Sequence, residues 1–460
     1  MKSEPRYIGS EFVTRMLARV ARAGFQHNPL VKSLWSSIWR LLVERSGLPD
    51  LPLEESLDEE VVLEEIEKDI VIIGSEPGAI ILANELSSHR GLDVLLVYRG
   101  SVAYKDYDVR IDSSVERLEN GAYLGFFEDG YLFVDRSRRR LYKAKKINKI
   151  IFSEGTRETY PIFENNDLPG IISSDLFLRL LEECSLKNKK IIVLSYGWWG
   201  RYVASQALRA GAETTVLTPE ESLEKTDYEV VSGVVEVVGV GYPVIRGLKY
   251  VSKRSRGFVR ADLVVSALHR QPNIESMLQL GAEPAYTEYL EAITINVRED
   301  GSVDKLNVIG FGEMTGTPRN YLVQEAELIS RLVRGSSLSE NEKDLLRKIY
   351  YEKKIVDLRN KIISKKPSFY LAKENNIDGL KFTCLCEDVL LRDVVDAYER
   401  GYETLEKIKR YTALGTGVCQ GRLCKYASAM LLSYLERVPL GSIGLIRQRP
   451  PLEPVEIRLL

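Results

Sequence analysis

Two stretches of the chain share one design, an apolar strand followed by a glycine-containing turn and a helix. The first is DIVIIGSEPGAIILANELSSHRGLDVLLVYRG, which begins at Asp69, and the second is KIIVLSYGWWGRYVASQALRAGAETTVLTPEE, which begins at Lys190. In each stretch another apolar strand follows the helix, which is the pattern of a βαβ unit in a helix-covered parallel sheet. The sequence therefore predicts an α/β protein with two dinucleotide-binding-type domains.

The glycine turn of the first unit departs from the dinucleotide fingerprint GxGxxG. Its three glycine places hold Gly74, Glu76 and Ala79, and Gly78 is displaced by one residue. Alanine is tolerated at the third place. A carboxylate at the second place adds bulk and like charge where the backbone must approach a pyrophosphate. Two interpretations stay open at this turn, namely an FAD site and a scaffold that binds no nucleotide.

The glycine turn of the second unit departs from the fingerprint as well. Ser195, Gly197 and Gly200 stand at its glycine places, and Trp198 and Trp199 lie between them. Bulky aromatic side chains beside such a turn pack against the domain more often than against a ligand. We interpret Gly197 and Gly200 as residues of an NAD-type fold and expect no NAD(P) there.

Four of the five cysteines are clustered near the carboxyl terminus. They read Cys384-x-Cys386, then 32 residues, then Cys419-x4-Cys424. Four thiolates are the ligand set of a 2Fe-2S centre, and soft sulfur selects iron-sulfur or zinc over hard cations. Zinc ligand pairs are typically separated by about two to four residues, so the single spacer of the first pair favours the cluster. A structural zinc site and four buried thiols are the alternatives.

Helical periodicity follows both cysteine pairs. DVLLRDVVDAYERGY comes after Cys386 and KYASAMLLSYLERV comes after Cys424, each with an apolar stripe at 3.6-residue spacing. We predict that both pairs open helices, whose positive ends would stabilise a negatively charged cluster. The fifth cysteine, Cys184, lies alone in a helical pattern and is interpreted as a small hydrophobic residue.

Charge and hydropathy exclude several classes of function. The chain has 64 Lys and Arg against 66 Asp and Glu, and the net charge of -2 provides no field that would attract nucleic acid. No apolar stretch approaches the roughly 18 residues that cross a bilayer, so we expect no transmembrane segment and a cytoplasmic location. The high content of charged residues suits a thermophile.

The cysteine region also carries a resemblance to a known family. CLCEDV followed by LEKIKRYTALGTGVCQGRLC resembles the bacterioferritin-associated-ferredoxin-type 2Fe-2S module at the end of certain flavoprotein subunits. FENNDLPGIISS at 163–174 and the end RPPLEPVEI resemble segments of the same proteins. The chain is thus similar to the α subunits of heteromeric amino-acid dehydrogenases and oxidases, the group of sarcosine oxidase, dye-linked proline dehydrogenase, opine oxidase and hydrogen cyanide synthase.

The resemblance implies cofactors and a partner. FAD would lie at the first unit, on Gly74, Gly78 and Ala79, and at the late flavin motif, where Gly312 is followed by Glu313 in place of the usual aspartate. The 2Fe-2S cluster would be held by the four clustered cysteines. A flavoprotein subunit of the β type would bind the small amino-acid substrate, and the two chains would form a hetero-oligomer.

The resemblance and the composition also divide the chain into segments. These are an N-terminal helical segment and acidic linker (1–67), the first part of the FAD-type domain (68–180), an inserted NAD-type domain (181–295), the return of the FAD-type domain (296–340), a helical connector (341–378), the 2Fe-2S domain (379–440) and a proline-rich tail (441–460).

The function that follows is an electron-transfer and scaffold subunit of a flavin-dependent dehydrogenase acting on a secondary amine such as proline or sarcosine. No catalytic residue for substrate oxidation is identified, because His27, His89 and His269 form no visible constellation with an acid and a nucleophile. One alternative is a self-sufficient oxidoreductase that uses FAD and NAD(P)H to reduce the cluster. Another is a non-enzymatic, cluster-bearing assembly protein.

Overall fold

The computed structural model describes residues 62–89, 91–99, 109–221, 226–303, 306–373 and 376–455. Residues 61–240 and 245–460 together form one compact unit. The helices expected before residue 62 lie outside the described residues. Within the described ranges, no helix has both the length and the apolar character that crossing a bilayer demands.

Strands and helices alternate along the chain. The first half comprises β1 (Leu63–Ile73), α1 (Pro77–Ser87), β2 (Val94–Tyr98), β3 (Glu116–Glu119), β4 (Gly121–Phe127), β5 (Gly130–Asp135), β6 (Arg140–Phe152), β7 (Thr156–Glu158), β8 (Ile171–Ser173), α2 (Ser174–Glu183), β9 (Lys190–Ser195), α3 (Gly197–Arg209), β10 (Glu213–Leu217) and β11 (Glu229–Val231). The second half comprises β12 (Val234–Gly241), β13 (Ile245–Ser252), β14 (Arg256–Arg260), β15 (Leu263–Ala267), β16 (Arg270–Pro272), α4 (Glu275–Gln279), β17 (Pro284–Thr287), β18 (Ala292–Ile295), β19 (Val308–Gly310), α5 (Leu322–Val333), α6 (Glu340–Lys353), β20 (Ile355–Asp357), β21 (Phe382–Cys384), β22 (Val389–Leu390), α7 (Leu391–Glu399), α8 (Leu405–Thr412), α9 (Lys425–Glu436) and α10 (Leu440–Ile443).

The first predicted unit forms the centre of a seven-stranded sheet. Its order is β3-β2-β1-β6-β5-β4, and β19 returns to pair with β6. The buried run Ile70–Ile73 of β1 pairs in parallel with β2 on one side and β6 on the other. Because α1 and α5 cover one face, the strand is apolar throughout this run, as buried parallel strands are.

The second predicted unit forms a five-stranded parallel sheet of order β11-β10-β9-β15-β8. Between β10 and β15 the chain makes the antiparallel strands β12, β13 and β14, as the β-rich pattern predicts. The fold class is confirmed: two dinucleotide-binding-type domains of the pyridine-nucleotide-disulfide oxidoreductase type, with a small helical region at the carboxyl end.

The segment 341–378 is not a continuous helical connector. Helix α6 ends at Lys353, because Lys354 adopts a left-handed backbone conformation with φ 48°. Beyond it, β20 pairs antiparallel with β17 and joins the small sheet of β17 and β18. The helical pattern of the sequence therefore extends only as far as the residue that stops the helix.

The carboxyl-terminal region packs directly against the first sheet. Its buried residues Leu391 and Met430 belong to the same apolar cluster as Val71 and Phe152 of the sheet. The prediction that Cys386 opens a helix is wrong: β21 and β22 form a short hairpin around Cys386, and α7 begins only at Leu391. Cys424, in contrast, is the N-cap residue of α9, as predicted.

Candidate functional site

The four clustered cysteines come together as two pairs. Cys384 and Cys424 share a hydrogen bond between their sulfurs and are buried, with 2% and 1% of their surface exposed. Cys386 and Cys419 share another, nearer the surface, where Cys386 is exposed. Among the described residues, no three or more His, Cys, Asp or Glu side chains are arranged as ligands of one metal ion.

The surroundings of Cys384 favour a thiolate. The Cys424 thiol donates to its sulfur, and the backbone N–H groups of Gly415, Glu387 and Cys386 donate as well, so the pKa of Cys384 falls to about 6 despite burial. A thiolate is the form of cysteine that binds metal. The Cys384 site is thus built to hold a negative sulfur within the protein.

Glycine keeps the two halves of the cysteine site close together. A Cβ atom added at Gly417 would lie 2.3 Å from the Cβ of Cys386, and one at Gly415, whose φ is +78°, would lie 3.8 Å from the Cys424 sulfur. Real Cβ atoms do not approach as closely as 2.3 Å, so a side chain at 417 would push the loop away from Cys386. The donor set of four thiols and this close loop fit a 2Fe-2S cluster.

A cavity of about 320 Å³ opens at the carboxyl ends of β1, β2 and β6, where dinucleotides bind in this type of fold. Gly74 lines it, with φ +151° and its Cα so close to Ser153 O that a Cβ would lie 1.8 Å away. Five arginines also line the cavity: Arg99, Arg157, Arg179, Arg270 and Arg422. In the tail, Glu453 forms ion pairs with Arg99 and Arg422 at this cavity and with nearby Arg136.

Glu76 turns its carboxyl group into the protein rather than towards solvent. It accepts hydrogen bonds from the Ser153 hydroxyl and from the backbone N–H of Glu313, and only 3% of its surface is exposed. Burial, reinforced by the negative charge of Glu313, raises the pKa of Glu76 to about 8. The expected like charge is therefore absent at neutral pH, whereas the expected bulk is present.

The remaining donors of a pyrophosphate site are reduced or used elsewhere. Pro77, the first residue of α1, has no backbone N–H, and Gly312 donates its own N–H to the Glu325 carboxylate at 2.9 Å. Gly78 and Ala79 pack into the protein, and a Cβ at Gly78 would lie only 3.0 Å from the Phe311 ring. The residues present therefore do not fit a dinucleotide pyrophosphate in this arrangement, although the fold is that of FAD-type oxidoreductases.

The second glycine turn is also filled by the protein itself. The N–H of Gly197 donates to the Glu220 carboxylate at 3.1 Å, and Gly200 packs so tightly on Ser195 that a Cβ would lie 2.2 Å from the Ser195 hydroxyl. Trp199 is buried, and its indole N–H donates to Ser174 at 2.8 Å. The tryptophan thus packs within the domain, which agrees with the interpretation from sequence.

Sequence reasoning did not find the charged residues that lie behind the cysteine loop. Arg157, Glu275 and Lys425 come from three distant parts of the chain and meet in one buried ion-pair group. Lys425 had a local signal, because it directly follows Cys424. Arg157 and Glu275 had none, since only the fold brings β7 and α4 to this place.

Comparison with known proteins identifies the carboxyl-terminal module. Residues 378–460 match the family model described as the sarcosine oxidase A3 domain. One of the opine oxidase subunits of Rhizobium meliloti (strain 1021) is 30% identical over 80 residues, which are 17% of this chain and 17% of that protein. The HcnB subunit of hydrogen cyanide synthase from Pseudomonas protegens is 26% identical over 190 residues, which are 40% of this chain and 39% of that protein. The chain thus matches well under half the length of these curated relatives.

The fold itself extends further than these sequence matches. The crystal structure of L-proline dehydrogenase from P. horikoshii superposes with a TM-score of 0.66 over 87% of this chain and 81% of that chain, at 20% sequence identity. Taken with the A3-domain match and the two curated relatives, this shared fold confirms the resemblance drawn from the sequence: the chain belongs to the α-type family of heteromeric amino-acid oxidases and dehydrogenases.

Proposed function

We propose that this chain is the electron-transfer and scaffold subunit of a flavin-dependent dehydrogenase for a secondary-amine amino acid such as proline or sarcosine. In this proposal Cys384, Cys386, Cys419 and Cys424 hold a 2Fe-2S cluster. The observation that carries the proposal is the meeting of four sulfurs in two pairs inside a close glycine loop.

When bound, such a cluster supplies one-electron transfer, which lets a two-electron donor pass on its electrons singly. The residues of this chain divide the site into an inner and an outer side. Cys384 and Cys424 are buried, and the inner side is supplied with backbone N–H donors that stabilise negative charge. Cys386 is exposed and Cys419 is half-buried, so the outer side can be approached by another protein.

Substrate oxidation is assigned to a flavoprotein partner of the β type. The buried His269 offers no free base in this chain: its Nδ1 is 2.8 Å from the Thr159 hydroxyl, its Nε2 is 3.0 Å from the Glu291 carbonyl, and burial lowers its pKa to about 4. Glu76 occupies the glycine turn of the first unit. We therefore assign no step to a flavin or a nicotinamide held by this chain.

The alternative of a self-sufficient oxidoreductase needs at least one working dinucleotide site. Both glycine turns direct a backbone N–H to a carboxyl group of the protein, Glu313 to Glu76 and Gly197 to Glu220. These contacts support the scaffold interpretation. The assembly-protein alternative is separated from both by the partner, because it predicts no flavoprotein bound to the chain.

The test combines composition with turnover. The chain is purified anaerobically from its own cells, and native mass spectrometry records iron, flavin and any bound protein. We expect two irons and two acid-labile sulfides per chain, together with a flavoprotein partner. The chain separated from that partner is then assayed with FAD, an artificial acceptor and a panel of amino acids, and we expect no turnover. A zinc ion without sulfide, or robust turnover by the separated chain, would contradict the proposal.

A further inference from the structure

A buried carboxylate lies directly behind the cysteine loop and binds two cations. Glu275, at the start of α4, accepts from Arg157 Nη2 at 2.5 Å and Nη1 at 3.0 Å. The Lys425 ammonium is 2.8 Å from the same carboxylate. All three side chains are largely withdrawn from solvent, with 6%, 15% and 0% of their surfaces exposed for Glu275, Arg157 and Lys425.

Both cations are attached to the cysteine loop. Lys425 follows Cys424 in the chain, and Arg157 Nε donates to the backbone carbonyl of Arg422, which lies between Cys419 and Cys424, at 2.9 Å. Arg157 belongs to β7 of the main body. Its guanidinium therefore ties the loop to the first domain while also neutralising Glu275.

The group carries one net positive charge. Burial alone would raise the pKa of Glu275, but the charges of Arg157 and Lys425 hold it well below its usual range, so the carboxylate is ionised. Two cations and one anion leave a charge of +1 in a region where water does not screen it fully. Arg157 is close enough to interact with Cys419, and Lys425 with Cys424.

We propose that Arg157, Glu275 and Lys425 position the Cys419–Cys424 loop and set the reduction potential of the centre that the four cysteines hold. The inference rests on the proposed 2Fe-2S cluster. A fixed positive charge stabilises the reduced form, which carries one more negative charge, and the ion pairs keep that charge at a constant place. These are positioning residues, since they act on the cluster through the loop and through their charge.

The test is a redox titration of the full-length, cluster-loaded chain followed by electron paramagnetic resonance. Arg157→Gln and Lys425→Gln each remove a positive charge and should shift the midpoint potential to more negative values. Glu275→Gln removes the negative charge and should shift it to more positive values. The double variant Arg157→Gln with Glu275→Gln restores the net charge and should return the potential towards that of the unchanged chain.

Two further variants separate charge from position. Arg157→Lys keeps the charge but loses the paired bonds to Glu275, so the potential should change little while the resonance spectrum changes. Arg179→Gln removes an exposed arginine of the same cavity and should leave the potential and the spectrum unchanged.

The sign of the shifts decides the inference. A loop that is merely disordered would move the Arg157→Gln and Glu275→Gln potentials in the same direction, and that result, or no shift in either, would overturn it. Iron and sulfide are measured on each sample. Full content with the wrong signs rejects only this inference, whereas a lack of iron and sulfide in the unchanged chain rejects the proposed function as well.

Discussion

Glu76 and Glu313 lie 237 positions apart in the chain, yet the Glu76 carboxyl accepts the backbone N–H of Glu313 at 3.2 Å. One residue stands in the glycine turn and the other in the late motif that the family resemblance assigns to FAD. Because the contact joins the two places that would face a dinucleotide from opposite sides, it closes the gap between them.

Replacing Glu76 by glycine should reopen that gap. The change frees the Glu313 N–H and the Ser153 hydroxyl, and each recovered hydrogen bond is worth about 1 kcal/mol, so FAD affinity should rise roughly tenfold. Flavin fluorescence quenching measures the dissociation constant. Glu76→Gln is the matched control, since it keeps the bulk and should bind FAD as poorly as the original chain. Stoichiometric FAD in the unmodified chain would show that Glu76 is no obstacle.

The buried Glu76 carboxyl also predicts a pH dependence of stability. Its pKa is raised from 4.5 to about 8, so between these values the folded chain keeps a proton that the unfolded chain releases. The contribution of Glu76 to the free energy of unfolding therefore falls as pH rises from 4.5 to 8. Denaturant unfolding across this range should show a shallower decline for Glu76→Gln than for the original chain. Parallel curves would contradict the assigned proton. Glu154 and Glu158 act in the same direction in both proteins.

Cys419→Ser should remove or strongly perturb the cluster, because it deletes one of the four thiolate ligands. Iron, acid-labile sulfide and the visible absorption spectrum measure the loss. Cys184→Ser is the matched control, since Cys184 is an exposed cysteine at the end of α2, and it should keep full iron and sulfide. Equal contents in both variants would exclude Cys419 as a ligand.

Gly417→Ala tests whether the loop must stay close to Cys386. The added methyl group would lie 2.3 Å from the Cys386 Cβ, so the loop must move, at a cost of about 1–3 kcal/mol. We expect a lower iron content after purification and faster loss of iron to a chelator. Val418→Ala changes the neighbouring residue, which is 81% exposed, and should behave like the original chain. Unchanged iron retention in Gly417→Ala would mean that the loop tolerates the shift.

Lys353→Met tests the buried ion pair that holds Glu325 beneath the Gly312 turn. The Lys353 ammonium is 2.7 Å from the Glu325 carboxylate, and both side chains are buried. Removing only the cation leaves an uncompensated charge, so the free energy of unfolding should fall by about 3–5 kcal/mol in denaturant titrations. Lys343→Met, which breaks an exposed pair with Glu340, should change little. A loss as small as that of the control would contradict the role of the pair.

Local patterns predicted the parts of this protein that local interactions determine. The apolar run of β1 and the helix after Cys424 both follow from periodicity within a few residues. The Cys386 hairpin did not, because Val389 and Leu390 fit a helical stripe as well as a strand. Arg157 meeting Glu275 could not be predicted, since their contact depends on how β7 and α4 pack after the sheet has formed.

The shared apolar cluster of the cysteine region and the first sheet has a consequence for how such chains are inherited. Met430 and Phe152 belong to one continuous interior, so the cysteine module has no separate core of its own within this cluster. A chain cut before residue 379 would expose the apolar surface that Met430 and its neighbours cover. Recombination could therefore transfer this module to another protein only together with a sheet surface that matches it, and the two parts should lose their structure in a single cooperative transition.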